Sequence, residues 1–171
     1  MPLRTAILSC LTTLGVGGLF LTPLVAHVRY NTTPSAPIGF YWCTPLRDTT
    51  TLHRGDLVVL TPPPWVRDEV RAVAPGLDVT RPWMKAIVAM EGDTVCLEGD
   101  DVTINGVVQA HRPLLRDYAL MPLEGCVPLA PETYFVLNEH PRSFDGRYVG
   151  VFPRTIIRRT CTALYTWKER R

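Results

Sequence analysis

From Thr5 to Val28 the chain runs for 24 residues without an Asp, Glu, Lys or Arg, bracketed by Arg4 and Arg29. As a helix that exceeds the roughly 20 residues needed to cross the hydrocarbon of a bilayer. A buried core helix seldom goes so far without a charge. A cleaved secretory signal would carry an apolar region of about 7–15 residues ending at a small-x-small site, and "PLVAHV" (23–28) offers a poor one. The segment therefore reads as a retained membrane anchor, residues 1–29, followed by one domain, residues 30–171. Arg4 and the N-terminus outweigh Arg29 alone, which favours the tail inside and the domain outside.

The cysteines suit an exported domain. Cys10 lies in the apolar run, leaving Cys43, Cys96, Cys126 and Cys161. No pair has metal-ligand spacing, so neither a metal nor another cofactor is expected. Four cysteines allow three disulfide connectivities. Cys96 and Cys126 flank what looks like an inserted hairpin and loop and make the favoured pair, with buried free thiols as the alternative. A net charge of +2 with the signs interspersed gives no basic stripe for nucleic acid.

Sixteen prolines beside short apolar runs argue against a helical bundle. "IGFYWC" (38–43), "DLVVL" (56–60), "MKAIVAM" (84–90), "TVCL" (94–97), "TYFVLN" (133–138), "YVGVF" (148–152) and "TIIRRTCTALYTW" (155–167) have strand composition. Asn105-Gly106, between β-branched runs in "VTINGVVQ", signals a hairpin. "WVRDEVRAVA" (65–74) puts Val66, Val70, Val73 and Ala74 on one helical face before Pro75-Gly76. The expected fold is mainly β, an antiparallel sheet coiled into a barrel-like form, with one short helix and an N-terminal transmembrane helix. Trp65 and Trp83, each beside proline, read either as anchors in the lipid headgroup layer or as core residues.

Two rare residue types, serine and lysine, are the candidates for chemistry. The chain has three serines (Ser9, Ser35, Ser143) and two lysines (Lys85, Lys168) against sixteen arginines. Alternation places Lys85 on one strand face with Ile87 and Ala89. If that face is inward, desolvation disfavours the ammonium and lowers its pKa, which suits a general base. Ser35, between Pro34 and Pro37 in "NTTPSAPIGFYW" (31–42), is then a hydroxyl in a stiffened loop that such a base can activate. His140 is near Ser143 and Asp145 in sequence, but neighbours in sequence rarely form a triad, and no G-x-S-x-G elbow exists.

"PSAPIG" (34–39) resembles the S-x-P-x-G nucleophile box of type I signal peptidases. "RPWMKAIVAMEGDTV" (81–95) is similar to their lysine box, and "NEHPRSFDGRYVGVFP" (138–153) to their Ser-x-Asp-x-Arg box. The boxes occur in family order and span most of the chain. "SAPIGFYW" (35–42) and the short length resemble more narrowly the TraF-type peptidases of conjugative plasmid transfer. The resemblance implies a signal-peptidase fold and a Ser-Lys dyad. Ser35 would be the nucleophile and Lys85 the base, with the Ser35 N–H and the Thr33 hydroxyl as oxyanion donors. Ser143 would hold the lysine amine, and Asp145 and Arg147 would brace that loop. It further implies a single-pass protein of the inner membrane with a periplasmic domain. Its substrate would be an exported precursor such as a pilin, cut and possibly closed head to tail, with other transfer-apparatus proteins as partners. The reading from another class is a non-catalytic assembly factor of a conjugation or secretion apparatus.

Overall fold

A computed structural model of the protein describes residues 25–73, 75, 76, 78–118 and 123–167. The expected anchor up to residue 24 lies outside the described residues, as does Ala74. Among the described residues no helix is long and apolar enough to cross a membrane.

Among the described residues eleven strands form two antiparallel sheets. The larger contains β1 (Val28–Asn31), β2 (Ile38–Pro45), β3 (Leu57–Leu60), β4 (Trp83–Ala89), β9 (Thr133–Leu137), β10 (Phe152–Pro153) and β11 (Ile157–Trp167), in the order β1-β2-β11-β3-β4-β9-β10. The smaller contains β5 (Thr94–Glu98), β6 (Asp101–Ile104), β7 (Val107–His111) and β8 (Gly125–Pro128), in the order β7-β6-β5-β8. The mainly β, antiparallel expectation holds, but the strands divide between two sheets. The hairpin between β6 and β7 turns on Asn105 and Gly106, both at positive φ as a two-residue primed turn requires.

Side chains from β3, β4 and β9 build the larger core with helix α1 (Pro64–Val73), which buries Val66 and Val70. On β9, Tyr134 and Val136 join this core while Phe135 and Leu137 join a second core beneath the smaller sheet. The strand is thus apolar on both faces. A bulge between Ile87 and Ala89 hands β4 from one core to the other. Trp83 is in the larger core, edge-on to Phe144 and Phe152, so the headgroup reading does not apply to it; Trp65 is exposed.

Three expectations need correction. "YVGVF" is not one strand. The Asp145 carboxylate accepts the Arg147 N–H and caps a single turn, α3 (Gly146–Val149), leaving only Phe152–Pro153 extended. A further turn, α2 (Leu114–Asp117), brings the α-helical segments among the described residues to three. Lastly, strand β1 begins at Val28, inside the uncharged run, and pairs along β2 from Val28↔Trp42 to Asn31↔Gly39.

Two disulfides staple directly opposed strand residues, Cys43–Cys161 across β2 and β11 and Cys96–Cys126 across β5 and β8. The first closes a separation of 118 residues and the second one of 30. Such loops are each worth about 3–5 kcal/mol in the chain-entropy account.

Gly39, where β2 leaves the Ser35 loop, has φ +152°, and a Cβ there would sit 2.2 Å from the Tyr165 carbonyl oxygen. Gly39→Ala is expected to cost about 2–5 kcal/mol through overpacking and backbone strain, read as a lower midpoint in denaturant titration.

Candidate active site

Lys85 occupies the middle of β4, opposite Val58 of β3, on the buried face that also carries Trp83 and Ile87. It is 3 % exposed. Burial lowers its pKa from 10.5 to about 8; Arg147 adds to the lowering and Asp145 opposes it. At pH 7 about a tenth of such an amine is neutral, far more than for a solvated lysine. Its Nζ donates to Ser143 Oγ at 2.7 Å and lies 6.0 Å from the centre of the Trp83 ring.

Ser143 and Asp145 arrive on the segment between β9 and α3 and Arg147 in α3 itself, and all three are buried. Arg147 holds that segment in shape. Its guanidinium donates to the backbone carbonyls of His140 (2.9 Å), Ser143 (3.2 Å) and Asn138, and lies 3.6 Å from the Asp145 carboxylate. Asp145 also accepts the Asn138 N–H at 3.1 Å. Burial pushes its pKa up, against the pull of Arg147 and then Lys85. Asn138 closes the circuit to β4, its Nδ2 donating to the Met84 carbonyl at 2.9 Å.

Ser35 is half-buried in the loop joining β1 to β2. Its Oγ is 3.2 Å from Thr33 Oγ1, and the Thr33 hydroxyl donates to Asn31 Oδ1 at 2.9 Å. With its one proton engaged there, Thr33 is the acceptor of the Ser35 proton. At the far end of the loop the Tyr41 hydroxyl donates to the Pro37 carbonyl at 2.6 Å. Ser35 and Pro37 line an open groove of about 890 Å³, together with Ala86, Leu137, Asn138, His140 and Arg147.

The expected site residues thus form two groups. Lys85, Ser143, Asp145 and Arg147 share one buried network, while Ser35 and Thr33 share another at the groove. Among the described residues no hydrogen bond joins the two groups, although Ala86, the neighbour of Lys85, lines the groove that holds Ser35. His140 Nδ1 accepts the Arg142 N–H, and no hydrogen bond links its ring to Ser143 or Asp145. Cys96, Glu98 and Cys126 converge as metal-ligand types, but both sulfurs are in a disulfide, leaving a single carboxylate. Asn31 and Asn138 escape sequence reasoning, because an asparagine beside a turn or strand end carries no signal of the distant carbonyls it will meet.

A family model of signal peptidases, peptidase S26, matches residues 3–166. The chain is 32% identical over 157 residues to a conjugal transfer protein TraF of Agrobacterium fabrum, covering 82% of this chain and 86% of that one. It is 28% identical over 167 residues to a plasmid transfer protein TraF of Escherichia coli, covering 90% and 92%. A solved signal peptidase I from Enterococcus faecalis is 20% identical and superposes on 63% of this chain and 94% of that one at a TM-score of 0.35, too distant to bear on the fold.

Proposed function

Since the chain belongs to the signal peptidase family, peptidase S26, we propose that it is a serine endopeptidase in which Lys85 activates Ser35 against exported precursor proteins. The observation that carries this reading is the buried Lys85 amine, with a pKa of about 8, on the strand whose next residue lines the Ser35 groove. Ser143 is the hydroxyl bonded to that amine, but at 1 % exposure no substrate carbonyl reaches it, so it serves to position the lysine.

In the reaction Ser35 Oγ exchanges its bond to Thr33 for one to Lys85, a tightening that catalytic groups commonly reserve for the substrate complex. Oγ attacks the scissile carbonyl as its proton passes to the neutral amine. The oxyanion takes the Ser35 N–H, and the Thr33 hydroxyl once it turns from Asn31. Lys85 then returns the proton to the leaving amine, and a second nucleophile resolves the ester. Attack by water yields a trimmed protein; attack by the substrate's own N-terminal amine yields a circle.

The TraF names of its relatives support a place in conjugative transfer, with a pilin-like precursor as substrate and other transfer-apparatus proteins as partners. An anchor in the uncharged run ahead of β1, with the domain from β1 onward on the periplasmic side of the inner membrane, fits two disulfides, which persist in oxidising compartments. It also fits the exposed Tyr30, Phe40, Tyr165 and Trp167, clustered in tilted contacts on β1, β2 and β11, since such rings favour the headgroup layer.

The separate bonding of Ser35 and Lys85 is the observation that favours a second reading, a non-catalytic assembly factor on a peptidase fold. Intact masses of a co-expressed pilin precursor separate the two. A trimmed product that disappears with Ser35→Ala is expected; trimming by the Ser35→Ala protein, or none by the native one, favours the scaffold. A product lighter than the trimmed linear form by one water marks the circle. The rate is expected to climb about tenfold per pH unit below pH 8 and to level off above it, because the lowered pKa frees the amine there.

A further inference from the structure

We propose that Asn31 is a positioning residue that holds the Ser35 loop in register with the base; this rests on Ser35 being the nucleophile. The last residue of β1, Asn31 reaches over the whole loop with one amide group. Its Nδ2 donates to the carbonyls of Thr33 (2.9 Å), Ala36 (3.1 Å) and Pro37 (3.1 Å). Its Oδ1 accepts the Thr33 N–H at 3.2 Å and the Thr33 hydroxyl at 2.9 Å. Nδ2 has two hydrogens for three carbonyls, so the loop closes around the amide with at least one shared bond.

The arrangement is specific to an amide. A loop with prolines at 34 and 37 has few N–H groups with which to bond itself, so its carbonyls need an outside donor. Asn31 supplies donor and acceptor from a point fixed by its pairing with Gly39. Through its oxygen it also sets the direction of the Thr33 hydroxyl, and thereby of the Ser35 hydroxyl. Aspartate has the same shape and keeps the acceptor, but turns a carboxylate oxygen towards three carbonyls.

The test uses the full chain in detergent micelles, native, Asn31→Ala and Asn31→Asp, with p-nitrophenyl acetate as a small acyl donor. Ser35 Oγ bonds to the acetyl carbon, p-nitrophenolate leaves, and the Ser35 proton goes to Lys85. Burst amplitude counts folded sites, and the burst rate constant reports how well each is positioned. Both variants are expected to keep the amplitude and the midpoint near pH 8, yet to lose about 10- to 100-fold in rate constant, as small misplacements of a reacting group do. Amide hydrogen exchange at Thr33, Ser35 and Ala36 is expected to quicken in both. A native rate constant in either variant, or a loss confined to amplitude, overturns the proposal. If the native chain gives no Ser35-dependent burst, the peptidase reading fails by itself, and unchanged exchange in Asn31→Ala then overturns the role of Asn31 as well.

Discussion

Replacing Lys85 by Met is expected to abolish acylation of Ser35 and, at neutral pH, to make the folded protein more stable. The first effect follows from removing the base. Lys85→Arg is expected to be equally inactive, because a guanidinium stays protonated near neutrality. The second follows from the cost of burying charge. A pKa lowered from 10.5 to about 8 means that the protonated lysine weakens the fold by about 3 kcal/mol relative to the neutral amine. The Ser143 hydroxyl loses its bond from Lys85 in the variant but keeps the one to Asp145, a loss worth about 1 kcal/mol, so the net gain is about 1–2 kcal/mol. The sign depends on pH. Between about pH 8 and 10.5 the unfolded chain holds a proton that the native state has released, so native stability rises with pH there. The advantage of Met is therefore full below pH 8 and fades as pH approaches 10.5. Denaturant titrations at pH 7 and pH 10 read it, and a Met variant less stable at pH 7 contradicts the burial argument.

Arg147→Met is expected to be the most damaging single change in the site. It strands four backbone carbonyls, those of Asn138, His140, Pro141 and Ser143, and leaves Asp145, wholly buried, without its nearest cation. Breaking a buried pair from one side costs about 3–5 kcal/mol, a large share of the 5–15 kcal/mol typical of a domain. Activity is lost with it, because the same segment carries Ser143. Arg147→Lys restores little, since a point charge cannot span carbonyls that a planar fork reaches together. Adding Asp145→Asn to Arg147→Met is expected to recover part of the loss, for a neutral amide strands no charge. A single variant within about 1 kcal/mol of the native protein would show that the network does not hold the segment.

How far the sequence reached depends on how local the determining contacts are. The Asn105-Gly106 hairpin and the inward face of Lys85 follow from neighbours two residues apart, and both were legible. So was Cys96–Cys126, which staples the inserted hairpin. "YVGVF" misled because β-branched and aromatic composition was overridden by one capping carboxylate and by Gly150 at φ +86°. The Lys85–Ser143 contact joins residues 58 apart, and only family resemblance could suggest it. Both tryptophans follow a proline, but Trp83 opens β4 and is covered by Phe144 and Phe152 from the far end of the chain, whereas Trp65 lies exposed in α1. The Ser35–Thr33–Asn31 chain of hydrogen bonds was hidden for the opposite reason, since every turn-rich stretch has such residues.

The central claim is that Lys85 activates Ser35 and not the serine it touches. Acid-quenched intact mass of the full chain after brief exposure to p-nitrophenyl acetate at pH 8, with the adduct mapped by peptide fragmentation, tests it most directly. One acetyl group on Ser35, absent from Lys85→Met, is the expected result. An adduct on Ser143, or one on Ser35 that forms equally fast in Lys85→Met, would contradict it.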